Sequence, residues 1–236
     1  MEDIEKHIKN LSISDKNINE VEKNTNDLHI IEIKKVDNNL SEKHNELKIK
    51  LKHILDSSNE NHKLKILLCD NIKDSCIYCK IYCLSGQVSG PLIEYYVKNK
   101  HSMTKNKSSD CTGDLNKNNE NIEIKVSMGG KEHNKFNYVQ IRVNHKCIYI
   151  LIAYYISYDN LNEFGELFIF KINKNDMINI LLKHGCYAHG TINKLGKINE
   201  NELKNEYNDK EYAIRPKYND KCWNDLLNFR INEIDI

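Results

Sequence analysis

Proline is nearly missing from this chain. It occurs twice, at Pro91 and Pro216, and glycine only nine times among 236 residues. So little of either excludes a collagen-like, low-complexity or loop-built fold. No run of roughly 18 apolar residues occurs, which excludes a membrane-spanning helix. The first residues, Met1 to Lys6, lack the apolar core of a signal peptide, so a cytoplasmic location is expected. Neither sign of charge dominates: 35 Lys and Arg stand against 34 Asp and Glu. Without a global basic field, any binding of an anionic partner must come from local patches. No internal repeat is visible. What is present suffices for a core, with 39% hydrophobic residues beside 29% charged ones, and the length fits one domain with or without an extension.

The eight cysteines are expected to be reduced in a cytoplasmic protein. Cys76, Cys79 and Cys83 stand at i, i+3 and i+7, downstream of His62 and Cys69. A structural zinc site takes four ligands in two paired spacings. These three fall on one helical stripe, which is the placement of buried core thiols.

Residues 1–40 are mixed in charge, poor in aromatics and without a sustained period, and read as a flexible or loosely ordered extension. The rest, 41–236, reads as a single domain. Leu47, Leu51, Ile54 and Leu55, then Leu64, Leu67 and Leu68, keep helical spacing and suggest two helices of a cap. Ser89 or Gly90 can cap a helix with Pro91 in its first turn. Ile93 and Val97 share one face of that helix, with Glu94 beside them. A polar loop is expected from Lys98 to Ser109 and a turn from Val126 to Gly130. Tyr138 to Val143 alternates and suits a strand or a helix end.

Cys147 to Ser157 is nearly all apolar and β-prone, hence a central strand, and Gly165 to Ile172 is a second. Asn173 and Asp176 cap a helix over Lys174–His184 that Gly185 ends. Tyr187 to Lys197 forms a loop or short strand pair, and Glu200 to Glu206 a short helix. Tyr212 to Lys217 is extended, because Pro216 biases Arg215 away from helix. Asp220 to Arg230 closes the chain with a helix burying Trp223, Leu226 and Leu227. This order gives an α/β (α+β) fold, a central mixed β-sheet flanked by helices, with a helical N-terminal part.

The stretch from Gly113 to Lys125 carries the most chemistry. Lys117 to Glu120 is a polar tetrad of turn formers, and beyond it Ile122 and Ile124 alternate with Glu123 and Lys125. Folding the arms about the tetrad sets Asp114 opposite Glu123 and Thr112 opposite Lys125. Directly opposite residues bring their Cβ atoms to about 4.5–5.5 Å. Two carboxylates that close repel unless a cation joins them, and Mg²⁺ takes one or two carboxylates together with substrate phosphate. Lys125 follows Glu123 by two residues and points to the same face, where it reaches the same phosphate or an attacking water. The competing reading is a solvated hairpin face with a cross-strand ion pair. Asp110, behind Ser109, is a rival for the first acid; the hairpin register favours Asp114.

The order of a helix bearing Glu94, then Gly113 and Asp114, then Glu123, Ile124 and Lys125 resembles the PD-(D/E)XK nuclease superfamily. Within it the chain is most similar to type II restriction endonucleases. Three stretches carry the resemblance: Gly90 to Glu94, the hairpin, and Phe136 to Arg142 with the apolar strand after it. It covers residues 86–172, the implied catalytic core, and departs from the pattern where Gly113 replaces the family's proline. The resemblance implies a restriction-endonuclease-like fold and Mg²⁺-dependent, site-specific hydrolysis of double-stranded DNA. Asp114, Glu123 and Lys125 would be catalytic, with Asp114, Glu123, the Ile124 carbonyl and Glu94 around the metal. A repair, recombination or phage-type nuclease, and a non-catalytic DNA-binding protein, are the alternatives.

Polar residues after the motif suit phosphate and base-edge contacts. They are Lys131, His133, Asn134, Lys135, Asn137, Gln140, Arg142, Asn144 and His145. A second group comprises Tyr187, His189, Thr191, Lys194 and Lys197; Arg215 and Lys217 form a third. Restriction enzymes cut both strands as dimers whose two-fold mirrors palindromic DNA, so a homodimer is expected, with the helices of 41–100 as its interface.

Overall fold

The computed structural model describes residues 42, 44–57, 61–107, 111–129, 134–156, 165–188, 190–196 and 198–236. The chain divides into two units, Met1–Glu46 and Leu47–Ile236. The extension expected over 1–40 lies outside the described residues. The two sheets and the helices that frame them belong to the second unit.

Helices α1 (Lys52–Leu55), α2 (His62–Ile66), α3 (Ile72–Ile81) and α4 (Gly86–Lys100) stand in the first part of the unit. Leu47, Leu51 and Ile54 are buried as the spacing predicts, but Leu64 and Leu68 are exposed. In α2 the buried pair is Lys65 and Ile66. The Lys65 ammonium stays satisfied because it donates to the Leu55 carbonyl at 3.1 Å and the Tyr82 hydroxyl at 3.4 Å. Cys76 and Cys79 are buried thiols, whereas Cys83 lies beyond the end of α3 and is exposed.

Helix α4 starts earlier than its capping signals suggest. Ser85 stands at its N-cap, and Pro91 falls inside it. Proline removes the bond that would run to the Gln87 carbonyl. Gln87 is exposed, so water can take that carbonyl and the helix continues. Leu92, Ile93, Tyr96 and Val97 bury the opposite face.

Among the described residues nine strands follow in two sheets: β1 (Thr104–Lys105), β2 (Leu115–Lys117), β3 (Glu120–Ser127), β4 (Tyr138–Arg142), β5 (Ile148–Tyr155), β6 (Glu166–Ile172), β7 (Tyr187–Ala188), β8 (Glu211–Ile214) and β9 (Arg230–Ile231). The larger sheet runs β1-β2-β3-β5-β6-β9 and the smaller β4-β8-β7. The larger sheet is mixed: β3 and β5 are parallel, and every other pair is antiparallel.

The hairpin β2–β3 has the register read from the sequence, with Leu115 opposite Ile122 and Lys117 opposite Glu120. Its tight turn works because Asn118 and Asn119 both take positive φ, 52° and 66°, as hairpin turns of this hand require. Two expectations need correcting. The loop from Lys98 contains the end of α4 and the edge strand β1. The turn expected from Val126 begins later, since β3 pairs with β5 as far as Ser127 opposite Ala153.

Side chains of β5 serve both faces of the sheet. Tyr149, Leu151 and Ala153 join one cluster with Phe168, Phe170, Tyr138 and Trp223. Ile150, Ile152 and Tyr154, pointing the other way, are equally buried. Helix α5 (Lys174–His184) has the expected cap, with the Asp176 N–H donating to the Asn173 side chain at 2.9 Å, and ends at Gly185. After α6 (Glu200–Lys204), α7 (Lys221–Leu226) buries Trp223 and Leu226. Leu227, expected in the core, passes into a 3₁₀ turn and is exposed.

Candidate active site

Strand β3 is an inner strand of the larger sheet, and it brings the site together. β2 pairs with it only as far as Ile122. From Glu123 onward its second edge carries no further strand among the described residues. Asp114 sits one position before β2, next to Leu115, whose partner across the hairpin is Ile122. Gly113 makes this placement possible. Its φ is +78°, and an added Cβ would lie 2.9 Å from the Ile122 carbonyl oxygen and 3.1 Å from the Cys147 Cβ. Proline, locked near φ −65°, cannot occupy such a position.

Asn106 pins the same loop. Its N–H donates to the Asp114 carbonyl at 3.0 Å, and its side-chain amide reaches the carbonyls of Thr112, Gly113 and Leu115. Nothing in the sequence marks Asn106, because an Asn in a polar loop is commonplace.

Glu123 is almost fully buried, with 1% of its surface exposed. Its two oxygens face different partners. Oε1 lies 2.5 Å from Lys125 Nζ, and Oε2 lies 3.7 Å from His145 Nδ1. Neither oxygen, nor His145 Nδ1, makes a hydrogen bond of acceptable geometry. The Lys125 contact is therefore close in distance but poorly directed. Buried polar atoms are rarely left so. Cys147 completes the group: its Sγ, His145 and a Glu123 oxygen all lie within 4.8 Å of one another.

His145, expected from the sequence among the DNA contacts, stands beside Glu123 and Cys147. It closes a turn by donating its N–H to the Arg142 carbonyl at 3.1 Å. That turn is tied to the hairpin loop by Lys146 N–H donating to the Cys111 carbonyl at 2.9 Å.

Glu94 on α4 is in electrostatic reach of the same groups. Burial pushes its carboxyl up to about 7 from 4.5, the Asp114 and Glu123 charges add to the rise, and Lys125 opposes it. A raised carboxyl pKa favours the protonated form in the folded state. The stability it contributes is complete below pH 4.5 and is lost as pH climbs towards 7. Replacing Glu94 with Gln should flatten that decline, and urea midpoints of both metal-free proteins between about pH 4.5 and 8 measure it. An unchanged slope would mean that Glu94 is not the titrating group. Burial also lowers the His145 pKa, against the pull of Glu123, and drives the Cys147 thiol up to about 12.

A cleft of about 940 Å³ opens beside the site, lined by Gly90 and Glu94 from α4, Lys125 from β3, and Asn137 and Gln140 from β4 and the residue before it. Gln140 has φ +56°, and the pairing of β4 with β8 shifts register between Tyr138 and Ile141. Such bulges re-aim side chains and gather beside active sites.

The expected DNA contacts divide. Asn137 and Gln140 line the cleft. Arg142 instead donates to Glu211, through Nε at 2.9 Å and Nη2 at 2.5 Å. Burial weakens its charge, but the Glu211 bond outweighs that and raises its pKa. Asn144 has a buried side-chain oxygen without a partner. The backbones of Lys135 and Lys217 form an isolated antiparallel β-bridge. Thr191 and Lys194 are exposed, and each donates to a backbone carbonyl nearby, Ala188 and His184. Arg215 links two of the expected groups: it donates to the Asn137 side chain at 3.0 Å and the Thr191 carbonyl at 2.5 Å, and lies over the Tyr187 ring. Asp110, Lys131, His133, His189 and Lys197 lie outside the described residues.

No protein family, curated protein or solved structure matches this chain. No helix among the described residues is long and apolar enough to cross a membrane.

Proposed function

We propose that this chain is a Mg²⁺-dependent endonuclease that hydrolyses phosphodiester bonds of double-stranded DNA at specific sites, as type II restriction enzymes do. The observation that carries the reading is the buried carboxylate of Glu123, its oxygens without a hydrogen bond, with Lys125 paired to it and the Asp114 and Glu94 charges in electrostatic reach of one another. Three acids, Glu94, Asp114 and Glu123, gather around one amine, which leaves a negative site open to a cation. Oxygen donors on a rigid strand fit a hard divalent ion.

Asp114, a Glu123 oxygen, the Ile124 carbonyl and Glu94 would hold Mg²⁺. When bound, the ion stabilises charge on the scissile phosphate and lowers the pKa of a water. Lys125 orients the attacking water and stabilises the negative charge that grows on the phosphate. Water oxygen bonds to phosphorus as the phosphorus–oxygen ester bond breaks, and the leaving oxygen takes up a proton. Gln140 and Asn137, which line the cleft, would meet base edges or phosphates. A homodimer would present two such clefts to the two strands of a palindrome.

Incubating supercoiled plasmid with the full chain and Mg²⁺ tests this reading. Discrete fragments are expected. Ragged or structure-selective cutting would point to a repair or recombination nuclease, and an intact plasmid would leave a protein that only binds DNA.

A further inference from the structure

We infer that Glu123, His145 and Cys147 form a binding site for a thiophilic divalent cation of the Zn²⁺ class. Each residue offers a different donor: a carboxylate oxygen, an imidazole nitrogen and a sulfur. That mixture is wrong for Mg²⁺, which prefers oxygen alone, and right for zinc, which takes all three.

The geometry points the same way. Zinc holds nitrogen and oxygen at about 2.0–2.2 Å and sulfur at about 2.3 Å, so tetrahedral ligand atoms stand roughly 3.3–3.6 Å apart. His145 Nδ1 and Glu123 Oε2 are already 3.7 Å apart, and the full set lies within 4.8 Å. Small side-chain rotations close the remainder. The backbone around the group is tied in place: Tyr149, paired with Glu123, fixes the start of β5, and the Lys146 and Asn121 bonds hold the turn against the hairpin.

The unmet hydrogen bonds supply a second, independent observation. Glu123 Oε1, Glu123 Oε2 and His145 Nδ1 are all buried without making a hydrogen bond. A cation among them would satisfy Oε2 and Nδ1 together, while Oε1 stays with Lys125. The remaining exposure of the His145 and Lys125 side chains, 13% and 14%, gives an ion a route from solvent. Three protein ligands leave a fourth position for water.

This site shares Glu123 with the catalytic site proposed above. On that reading, which this consequence alone rests on, a zinc-class ion draws Glu123 Oε2 away from Mg²⁺ and depresses cutting.

Co²⁺ is the probe, added to the full reduced chain. One equivalent is expected to give a near-ultraviolet thiolate-to-cobalt charge-transfer band, and Zn²⁺ to abolish it by displacement. Cys147→Ser should remove the band, whereas Cys83→Ser and Cys111→Ser, at exposed thiols, should keep it. His145→Asn should weaken Zn²⁺ binding roughly tenfold or more. X-ray absorption of the Zn²⁺-loaded unaltered chain needs no variant: one sulfur and otherwise nitrogen or oxygen ligands are expected. No stoichiometric binding, a band that survives Cys147→Ser, or two or more sulfurs would overturn the inference. Plasmid cutting with Mg²⁺ is scored separately. Cutting without a cobalt band sinks this inference alone, and a cobalt band without cutting sinks the nuclease reading alone.

Discussion

On the proposed nuclease reading, replacing Lys125 with Ala should lower Mg²⁺-supported cutting by about 10²–10³-fold, the usual loss when one preorganised electrostatic group is removed from an active site. It also lowers stability, and the reason is burial. Lys125 is 14% exposed at its side chain and Glu123 only 2%, with 2.5 Å between them. Deleting the amine strands a carboxylate in the interior, at a cost of about 3–5 kcal/mol. The double variant Glu123→Gln with Lys125→Met removes both charges and should recover most of that stability while remaining inactive. Asp114→Ala should abolish cutting with little loss of stability, because Asp114 is only partly buried. Initial cutting rates and urea melts separate these effects. A Lys125→Ala protein that cuts at the normal rate would show the site assignment to be wrong. One that is inactive but fully stable would show that the pair is not shielded from water.

Gly113→Ala should be among the most damaging small substitutions in the chain. A residue other than glycine in this left-handed conformation costs about 1–3 kcal/mol. The new methyl group would also sit 2.9 Å from the Ile122 carbonyl oxygen and 3.1 Å from the Cys147 Cβ, adding a further ~1–3 kcal/mol of overpacking. The sum, about 2–6 kcal/mol, lowers Tm by roughly 4–24 °C for a chain of this size. Asp114 moves with the displaced backbone, so cutting falls as well. Gly86→Ala is the control: nothing lies within 4 Å of its added Cβ, and alanine in a helix favours stability by up to about 1 kcal/mol. Equal Tm values for the two variants would remove the argument that Gly113 is required by shape.

Some elements are legible in the sequence because their signals are local. Lys117 to Glu120 sets the turn, and the alternation at Ile122 and Ile124 sets the register, so Leu115 against Ile122 follows from counting alone. Asn173 and Gly185 fix both ends of α5 in the same way. The failures are also informative. Pro91 suggests a helix start, yet α4 runs through it, since packing of Ile93, Tyr96 and Val97 outweighs one missing bond. Tyr138 to Arg142 is a strand, but its alternation cannot tell which sheet it joins, and it leaves the main sheet to pair with β8. Arg142 looks like a free guanidinium until Glu211, far along the chain, arrives beside it.

The local pattern of residues, then, determined the hairpin, its register of Leu115 against Ile122, and the shared face of Glu123 and Lys125. Those follow from a two-residue strand period and a tight turn, which act over about a dozen positions. Only the tertiary structure decided that Glu123 is buried, that His145 and Cys147 stand beside it, and that Glu94 faces the same charges. Each depends on the parallel pairing of β3 with β5 and on α4 packing against β3. Parallel strands are joined by crossovers and not by turns, so no short-range pattern of side chains encodes which strand becomes the neighbour.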